Sequence, residues 1–289
     1  MQKQVKYNLP AQLVDMGGIP LKQAIPTQKI GYLDPFLLLH HAEMQAYSDR
    51  PARGQGIGPH PHRGFSPVTF VVEGEVHHRD SFGNNQIAKA GEAQWLNAGA
   101  GIVHSERPSE SLVQKDGKQE IIQLWINSPA KHKMDIPAYY HLPKSEMPVF
   151  TSVDKKLESS LVAGEYLGQK TKIKTNIPML ILWGKGKKGA EEKYQLNAEF
   201  ATALYLIKGR IQLKGYGPIE AESFIIFNEE GTDLVMNLLE DSQFLILSAE
   251  AIKEKIEQYG PYVMNNQTQL LEAMRDYQMG KMGILIEDD

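Results

Sequence analysis

The chain has 289 residues, which is enough for one large domain or two of ordinary size. Its apolar fraction of 42% and charged fraction of 23% are those of an ordinary globular protein, so they exclude a disordered chain, a fibre and a coiled coil. The net charge of −4 argues against a protein that binds nucleic acid by neutralising phosphates.

Cysteine is absent, which removes disulfides, zinc-thiolate sites and thiol nucleophiles. His, Asp and Glu remain as the strong metal ligands. The first twenty residues are polar and interrupted by Pro and Gly, and apolar runs such as 177–183 are too short to span a membrane. We therefore expect no export or anchoring segment and a cytoplasmic location.

Short apolar or alternating runs separated by Gly, Pro, Asn and Asp are typical of an all-β barrel or sandwich. Residues 70–76 follow the pattern apolar-apolar-apolar-charged-Gly-charged-apolar, and residues 205–211 repeat it. Each segment is predicted to be a hairpin of two strands around a glycine turn. The repeat favours a duplicated unit, although similar β-rich segments also match by chance.

A Pro-bearing stretch without sustained periodicity, residues 127–148, separates two β-rich halves. We place the domain boundary there, with a first domain at 1–135 and a second at 136–289. Two helices are predicted near the end of the chain, at 249–259 and 267–279. In the second, Asn265 or Asn266 can cap the start and Gly280 can end the helix. Its predicted apolar face consists of Leu270, Leu271, Met274 and Tyr277.

Two pairs of residues at i and i+2 indicate a metal site. Successive side chains of a strand alternate between its faces, so His60 and His62 point to one side of a strand, and so do His104 and Glu106. If the two strands are neighbours, the four side chains converge inside one barrel. Three imidazoles and one carboxylate suit one divalent transition metal; Fe(II) is the first choice, and Mn, Ni, Cu and Zn are alternatives.

The alternative interpretation is that these histidines belong to the surface or the core, as most isolated H-x-H pairs do. All nine histidines lie in the first half of the chain, however, and none follows His141. At the repeat offsets, the four candidate ligands correspond to Gln195, Asn197, Val235 and Asn237. The second domain is therefore expected to bind no metal.

Other residues near these segments have structural interpretations. Arg63 is expected to form a salt bridge and Gly64 to fit a tight backbone. His78 and Asp80 form a further i, i+2 pair that could support the ligands, but a solvent-facing position is preferred. The acidic tail 287–289 is expected to be solvated. Three aromatic residues are expected in the core rather than in a pocket: Phe65, Phe70 and Trp95.

The segments GPHPHRGF (58–65) and GAGIVHSE (99–106) strongly resemble the two motifs of the pirin family. The flanking segments 34–39, 260–265 and 276–281 also resemble those of pirins, so the resemblance covers nearly the whole chain. It implies two tandem cupin barrels of the double-stranded β-helix or jelly-roll type, with a few short helices that include a C-terminal one.

The resemblance also implies a single metal in the N-terminal barrel, held by His60, His62, His104 and Glu106. The second barrel, with the C-terminal helices, would lack metal ligands. Where pirins commonly have an acidic pair, this chain has His40 and His41, which could alter access to the metal.

Two functions are associated with the family. The first is a quercetinase-type dioxygenase that opens flavonols, or related enol or catechol molecules, with molecular oxygen. In that reaction Glu106 could also accept the substrate hydroxyl proton as a general base. The second is metal- or redox-dependent regulation through protein partners, and the fold does not choose between them. Neither function requires direct contact with nucleic acid or a membrane.

Overall fold

The computed structural model describes residues 1–287, which form 25 strands and two α-helices. The strands up to residue 142 are β1 (Val5–Pro10), β2 (Gln12–Met16), β3 (Ile19–Ile25), β4 (Phe36–Gln45), β5 (Ile57–His62), β6 (Phe65–Glu73), β7 (Glu75–Asp80), β8 (Asn85–Lys89), β9 (Ala93–Asn97), β10 (Ile102–Pro108), β11 (Lys118–Asn127) and β12 (Ala138–Leu142).

The later strands are β13 (Val149–Thr151), β14 (Leu157–Tyr166), β15 (Gln169–Lys170), β16 (Met179–Gly186), β17 (Glu191–Gln195), β18 (Ala201–Lys208), β19 (Arg210–Leu213), β20 (Pro218–Glu220), β21 (Ser223–Phe227), β22 (Asp233–Leu238), β23 (Ser242–Ala249), β24 (Glu257–Tyr259) and β25 (Tyr262–Met264). The α-helices are α1 (Glu110–Val113) and α2 (Gln267–Gln278), and short 3-10 turns occur at Ala52–Gly54, Ala130–His132 and Lys144–Glu146.

Contacts within the chain group it into two units that are not continuous in sequence. The unit that contains the histidine motifs comprises Val14–Leu21, Phe36–Pro143 and the chain from Ile252 onward. The other comprises Met1–Leu13, Lys22–Pro35 and Lys144–Ala251. The boundary expected between residues 135 and 136 stays a prediction.

The histidine-containing unit, which we call the first barrel, is built from two antiparallel sheets. One has four strands in the order β5-β10-β7-β8, and the other has the order β12-β9-β6-β11-β4-β3-β2. Side chains of both sheets meet in a shared core that includes Val71 and Ile121 from one sheet and Val76 and Ala88 from the other. Two facing antiparallel sheets of this order form a cupin barrel, as predicted.

The other unit, the second barrel, repeats this arrangement. Its sheets have the orders β17-β22-β19-β20 and β1-β21-β18-β23-β16-β14-β13, with β15 paired to β14. Its interior is a large cluster of buried apolar side chains, among them Leu182, Leu204, Leu234 and Phe244. The two barrels confirm the predicted all-β tandem architecture.

The predicted glycine turns occur in both barrels, but the strands that flank them do not form hairpins. Gly74 and Gly209 each adopt a positive φ, of 79° and 84°. A Cβ at Gly74 would collide with the carbonyl oxygen of Lys118, and one at Gly209 with that of Asp241. Each turn carries the chain from one sheet of its barrel to the other: β6 and β7 lie in different sheets, as do β18 and β19. Tight glycines therefore mark the corners of the barrels.

The C-terminal helix α2 begins after Asn266, whose side chain accepts a hydrogen bond from the Gln269 amide. Its buried face is formed by Leu270 and Ala273, which pack on Val103 of β10 and on Met282. The predicted apolar face was partly wrong, because Leu271 is 65% exposed and Tyr277 39% exposed.

The predicted helix at 249–259 does not form. Ala249 ends β23, residues 250–256 have no regular secondary structure, and Glu257–Tyr259 is a short strand. Lys253 has a φ of 58°, which a right-handed helix does not accommodate. Within residues 1–287, no helix combines the length and apolar character needed to cross a bilayer.

Candidate metal centre

The two histidine motifs lie on neighbouring antiparallel strands of the four-stranded sheet. His60 on β5 is directly opposite His104 on β10, and His62 is opposite Ile102. The register shifts between His104 and Glu106, so that Glu106 lies opposite Ile57. The extra residue lies in β5, between Ile57 and His60, and bends that strand beside its motif. The neighbouring strands that the sequence analysis required are therefore present.

Three imidazoles converge inside the first barrel. One ring nitrogen from each of His60, His62 and His104 lies within 4.8 Å of the others. The Nε2 atoms of His60 and His62 are 3.1 Å apart, and the ring centroids of His60 and His104 are 4.4 Å apart. His104 Nε2 is buried and has no hydrogen-bond partner among the described residues. Such a cluster can hold a divalent transition metal.

Burial keeps these imidazoles neutral. The pKa of His62 and that of His104 lie well below the usual value because burial disfavours the charged ring, and neighbouring imidazoles add to the effect. Burial also lowers the pKa of His60, against a hydrogen bond to the Gly58 carbonyl and the nearby Glu106 carboxylate. Neutral imidazole is the form that binds a metal.

Glu106 lies beside these imidazoles but outside the group of three. Its Oε1 accepts a hydrogen bond of 2.6 Å from Thr69 Oγ1, and its Oε2 accepts one of 2.6 Å from Gln123 Nε2. Each carboxylate oxygen has a second lone pair, so these bonds leave it able to bind a metal or accept a proton. The role of Glu106 as a ligand stays a prediction.

Aromatic rings form one wall of the centre. His62 lies edge to face against Phe65 at 5.1 Å and against Trp125 at 5.4 Å. The indole N–H of Trp125 donates to Gln123 Oε1 at 3.0 Å, and Gln123 in turn donates to Glu106. The expected core aromatics Phe65, Phe70 and Trp95 are all at most 1% exposed. Phe65 therefore belongs to the core and to the site at once.

His78 and Asp80 were wrongly assigned to a solvent-facing position. They are 2% and 3% exposed, on β7 beside β10, and His78 Nε2 lies 3.0 Å from Asp80 Oδ2. His78 Nδ1 is 3.4 Å from His104 Nδ1. The signal was present, because the two residues show the same i, i+2 spacing as the candidate ligands.

The residues that follow the first motif have the structural roles expected. Arg63 forms an ion pair of 3.1 Å with Asp276 of α2. Gly64 has a φ of 85°, and a Cβ there would collide with the carbonyl of Val263. The buried Lys133 Nζ donates to the carbonyls of Gly64 and Val263 and also to Asn127, and burial lowers the pKa of this amine to about 7.

The two histidines that depart from the pirin pattern lie on opposite faces of β4. His40 is directly opposite Gln123 and therefore shares the face that carries the hydrogen bond to Glu106. Burial lowers the pKa of His40 to about 4. His41 points to the other side and pairs with Glu120 at 2.9 Å, with both side chains buried.

The acidic tail is bound rather than solvated at its first residue. Glu287 pairs with Arg107 of β10 at 2.8 Å, and its side chain is 8% exposed. A carboxylate beside a guanidinium on a sheet surface is a favourable pair, which the sequence pattern alone could not place. Residues 288–289 lie outside the described part of the chain.

In the second barrel, the positions that correspond by repeat offset to the candidate ligands do not belong to the apolar interior. The four positions that correspond by repeat offset are at least partly exposed: Gln195, Asn197, Val235 and Asn237. The interior of the corresponding strand pair is filled by Tyr194, Leu234 and Met236, all at most 2% exposed.

Comparisons with known sequences agree with this description. A family model described as Pirin matches residues 18–126, and one described as Pirin C-terminal cupin domain matches residues 184–283. A pirin-like protein of Solanum lycopersicum is 30% identical over 272 residues, which are 92% of this chain and 88% of that protein.

Solved structures have the same fold. A crystal structure of quercetin 2,3-dioxygenase from Acinetobacter baumannii has a TM-score of 0.90 and 31% identity, covering 99% of this chain and 100% of that one. A bacterial pirin from Escherichia coli, solved in complex with nickel(II), has a TM-score of 0.69 and 20% identity, covering 85% and 99% of the two chains. The second shows similarity of fold alone.

Proposed function

The chain belongs to the pirin family, and from this premise we propose that it is a metal-dependent dioxygenase of the quercetinase type. Its substrate would be a flavonol or a related enol or catechol, which it would oxidise with molecular oxygen. His60, His62, His104 and Glu106 would hold one Fe(II) ion, with Mn, Ni, Cu and Zn as alternatives. The reaction would take place in the cytoplasm.

The observation that carries the proposal is the convergence of three imidazoles on one point, two of them buried and that of His60 half-buried. The buried His104 Nε2, which has no partner within residues 1–287, fits a metal, because a buried nitrogen without a hydrogen bond is costly unless a ligand satisfies it. The quercetin 2,3-dioxygenase that shares 31% identity and nearly the whole length of the chain supports the reaction class.

A bound Fe(II) would supply a Lewis-acidic, redox-active centre for a chelating enol oxygen and for molecular oxygen. The residues of the chain prepare the substrate. Glu106 would accept the proton of the substrate hydroxyl, and Thr69 and Gln123 hold its carboxylate in position. The rings of Phe65 and Trp125 limit water on one side of the centre.

The test is oxygen uptake with quercetin by protein purified without chelators, after elemental analysis of its metal content. We expect one oxygen molecule consumed per quercetin, and a rate at least about 100-fold lower in Glu106→Gln and His62→Ala. His132→Ala, which removes a histidine paired with exposed Asp135, is the control. Equal rates in wild type and both site variants would show that the reaction does not depend on the metal site.

A second candidate function is metal- or redox-dependent regulation through a protein partner. It is favoured by the second barrel, whose apolar core provides structure but no set of ligands among the described residues. A partner retained only by metal-loaded protein would support this function. Retention that is the same with His62→Ala would argue against it.

A further inference from the structure

A chain of hydrogen bonds leads from a carboxylate to one imidazole of the metal centre. Asp80 Oδ2 is 3.0 Å from His78 Nε2, and His78 Nδ1 is 3.4 Å from His104 Nδ1. Asp80 and His104 are directly opposite each other on β7 and β10. The far side of His104 carries Nε2, which is buried and without a partner among residues 1–287.

The direction of these hydrogen bonds follows from the chemistry of Asp80. Its Oδ1 accepts from the backbone amides of Phe82 and Asn84, at 2.9 and 3.1 Å, and its Oδ2 also accepts from Asn84 Nδ2 at 2.8 Å. An ionised carboxylate only accepts, so His78 Nε2 must carry the proton of that ring. In a neutral His78, Nδ1 is then an acceptor.

The position of the proton on His78 determines that of the proton on His104. When His78 Nδ1 accepts, its contact with His104 is a hydrogen bond in which His104 Nδ1 carries the proton. His104 Nε2 then has a free lone pair on the side of His60 and His62. His60 reaches the same form independently, because its Nδ1 donates to the Gly58 carbonyl at 2.8 Å.

We propose that Asp80 and His78 form a positioning relay that holds His104 in its Nδ1–H tautomer and thereby presents Nε2 to the metal. The inference rests on the metal site of the proposed function. Tyr139 fixes the plane of the His78 ring, since the two rings stack at 4.1 Å with 11° between their planes. Partners of this kind orient metal-ligating histidines and raise metal affinity.

Asp80→Asn tests the relay because it reverses donor and acceptor in each of its hydrogen bonds. The backbone amides of Phe82 and Asn84 keep an acceptor oxygen in place of Oδ1, so the amide nitrogen takes the place of Oδ2. The Asn84 side-chain amide, which donates to Oδ2 in wild type, then turns over and presents its oxygen. The amide nitrogen at position 80 donates to His78 Nε2, which puts the His78 proton on Nδ1 and forces His104 into its Nε2–H form. We expect metal affinity about 10- to 100-fold lower, measured by competition with a chromophoric chelator for Fe(II) and Zn(II).

The matched control is Asp135→Asn, which alters an exposed His–Asp pair in the same barrel. Its metal affinity should equal that of wild type. His78→Phe is the second variant, because it keeps an aromatic ring on Tyr139 but removes the acceptor for His104; its affinity should fall by a similar factor. Affinities of Asp80→Asn and His78→Phe within twofold of wild type would overturn the relay.

Imidazole ¹⁵N NMR of the metal-free wild type reads the tautomers directly and needs no variant to fold. We expect a protonated Nδ1 and unprotonated Nε2 for His104, and the reverse for His78. A His104 with its proton on Nε2, or a His78 protonated on both nitrogens, would overturn the proposal. Because this measurement involves no turnover, a protein with the expected tautomers that consumes no oxygen keeps the relay and loses only the dioxygenase.

Discussion

Gln123 and Glu106 are joined by a hydrogen bond of 2.6 Å although they belong to different sheets of the first barrel. Glu106 lies on β10 beside the histidines, and Gln123 lies on β11 of the seven-stranded sheet. Thr69 on β6, the neighbour of Gln123, donates to the other oxygen of the same carboxylate. The seven-stranded sheet therefore orients a side chain of the four-stranded sheet.

Thr69→Val should impair the reaction because it removes one of the two donors that orient Glu106. Loss of a hydrogen bond to a charged group should lower the free energy of unfolding by about 1.5–3 kcal/mol. We also expect about tenfold slower oxygen uptake with quercetin. Thr202→Val is the control, because Thr202 is a buried, hydrogen-bonded threonine of the second barrel. A Thr69 variant with full activity would show that Glu106 needs no such support.

Metal binding should stabilise the protein through the three imidazoles. Fe(II) or Zn(II) at about 100 times its dissociation constant should raise the free energy of unfolding of wild type by about 2.7 kcal/mol. Thermal melts with and without metal measure this difference. His62→Ala should show no increase, whereas His132→Ala should behave as wild type. An equal shift for both variants would place the bound metal elsewhere.

Acid should destabilise the metal-free protein, partly through His40. Its pKa is about 4 in the folded protein and about 6.5 when unfolded, so the unfolded state binds more protons between these values. The contribution of His40 to the free energy of unfolding is therefore complete above about pH 6.5 and is lost as the pH falls toward 4. Chemical denaturation at several pH values in this range gives the slope of the free energy of unfolding against pH. This slope should be smaller by up to about 1.4 kcal/mol per pH unit in His40→Gln. An unchanged slope would contradict the low pKa.

Lys133→Met should destabilise the first barrel. Its Nζ donates to the backbone carbonyls of Gly64 and Val263 and to Asn127, and the substitution leaves these buried acceptors without their donor. We expect a loss of about 3 kcal/mol or more in the free energy of unfolding, measured by urea denaturation. Lys131→Met, at an exposed position two residues away, should change it by less than about 0.5 kcal/mol.

The three converging histidines could be predicted from sequence because strand alternation is a local rule. The H-x-H and H-x-E spacings each place two side chains on the same face of a strand. Only the pairing of β5 with β10 had to be assumed. The same rule applied to His78 and Asp80 would have placed them near the site, but the pattern does not say which face of β7 is buried. Burial of that face depends on β10 and on contacts distant in sequence.

Other parts of the site depend on pairing between distant segments. Thr69 and Gln123 are each the one polar residue of an apolar run, at 67–72 and 121–126. Such a residue indicates that the side chain has a specific partner, but the sequence does not identify Glu106 as the common acceptor. The helix expected at 249–259 is absent because both ends of this segment pair as strands: Ala249 completes β23 beside β16 and β18, and Glu257–Tyr259 pairs with β25. The end of α2 was set locally and was predicted within one residue.

The last segment of the chain joins the first barrel, where α2 packs on Val103 and Glu287 binds Arg107. During synthesis on the ribosome, the histidines emerge early, yet the barrel that surrounds them cannot be completed until residues translated some 150 positions later have left the exit tunnel. Metal binding at these histidines is therefore expected to follow the synthesis and packing of this last segment.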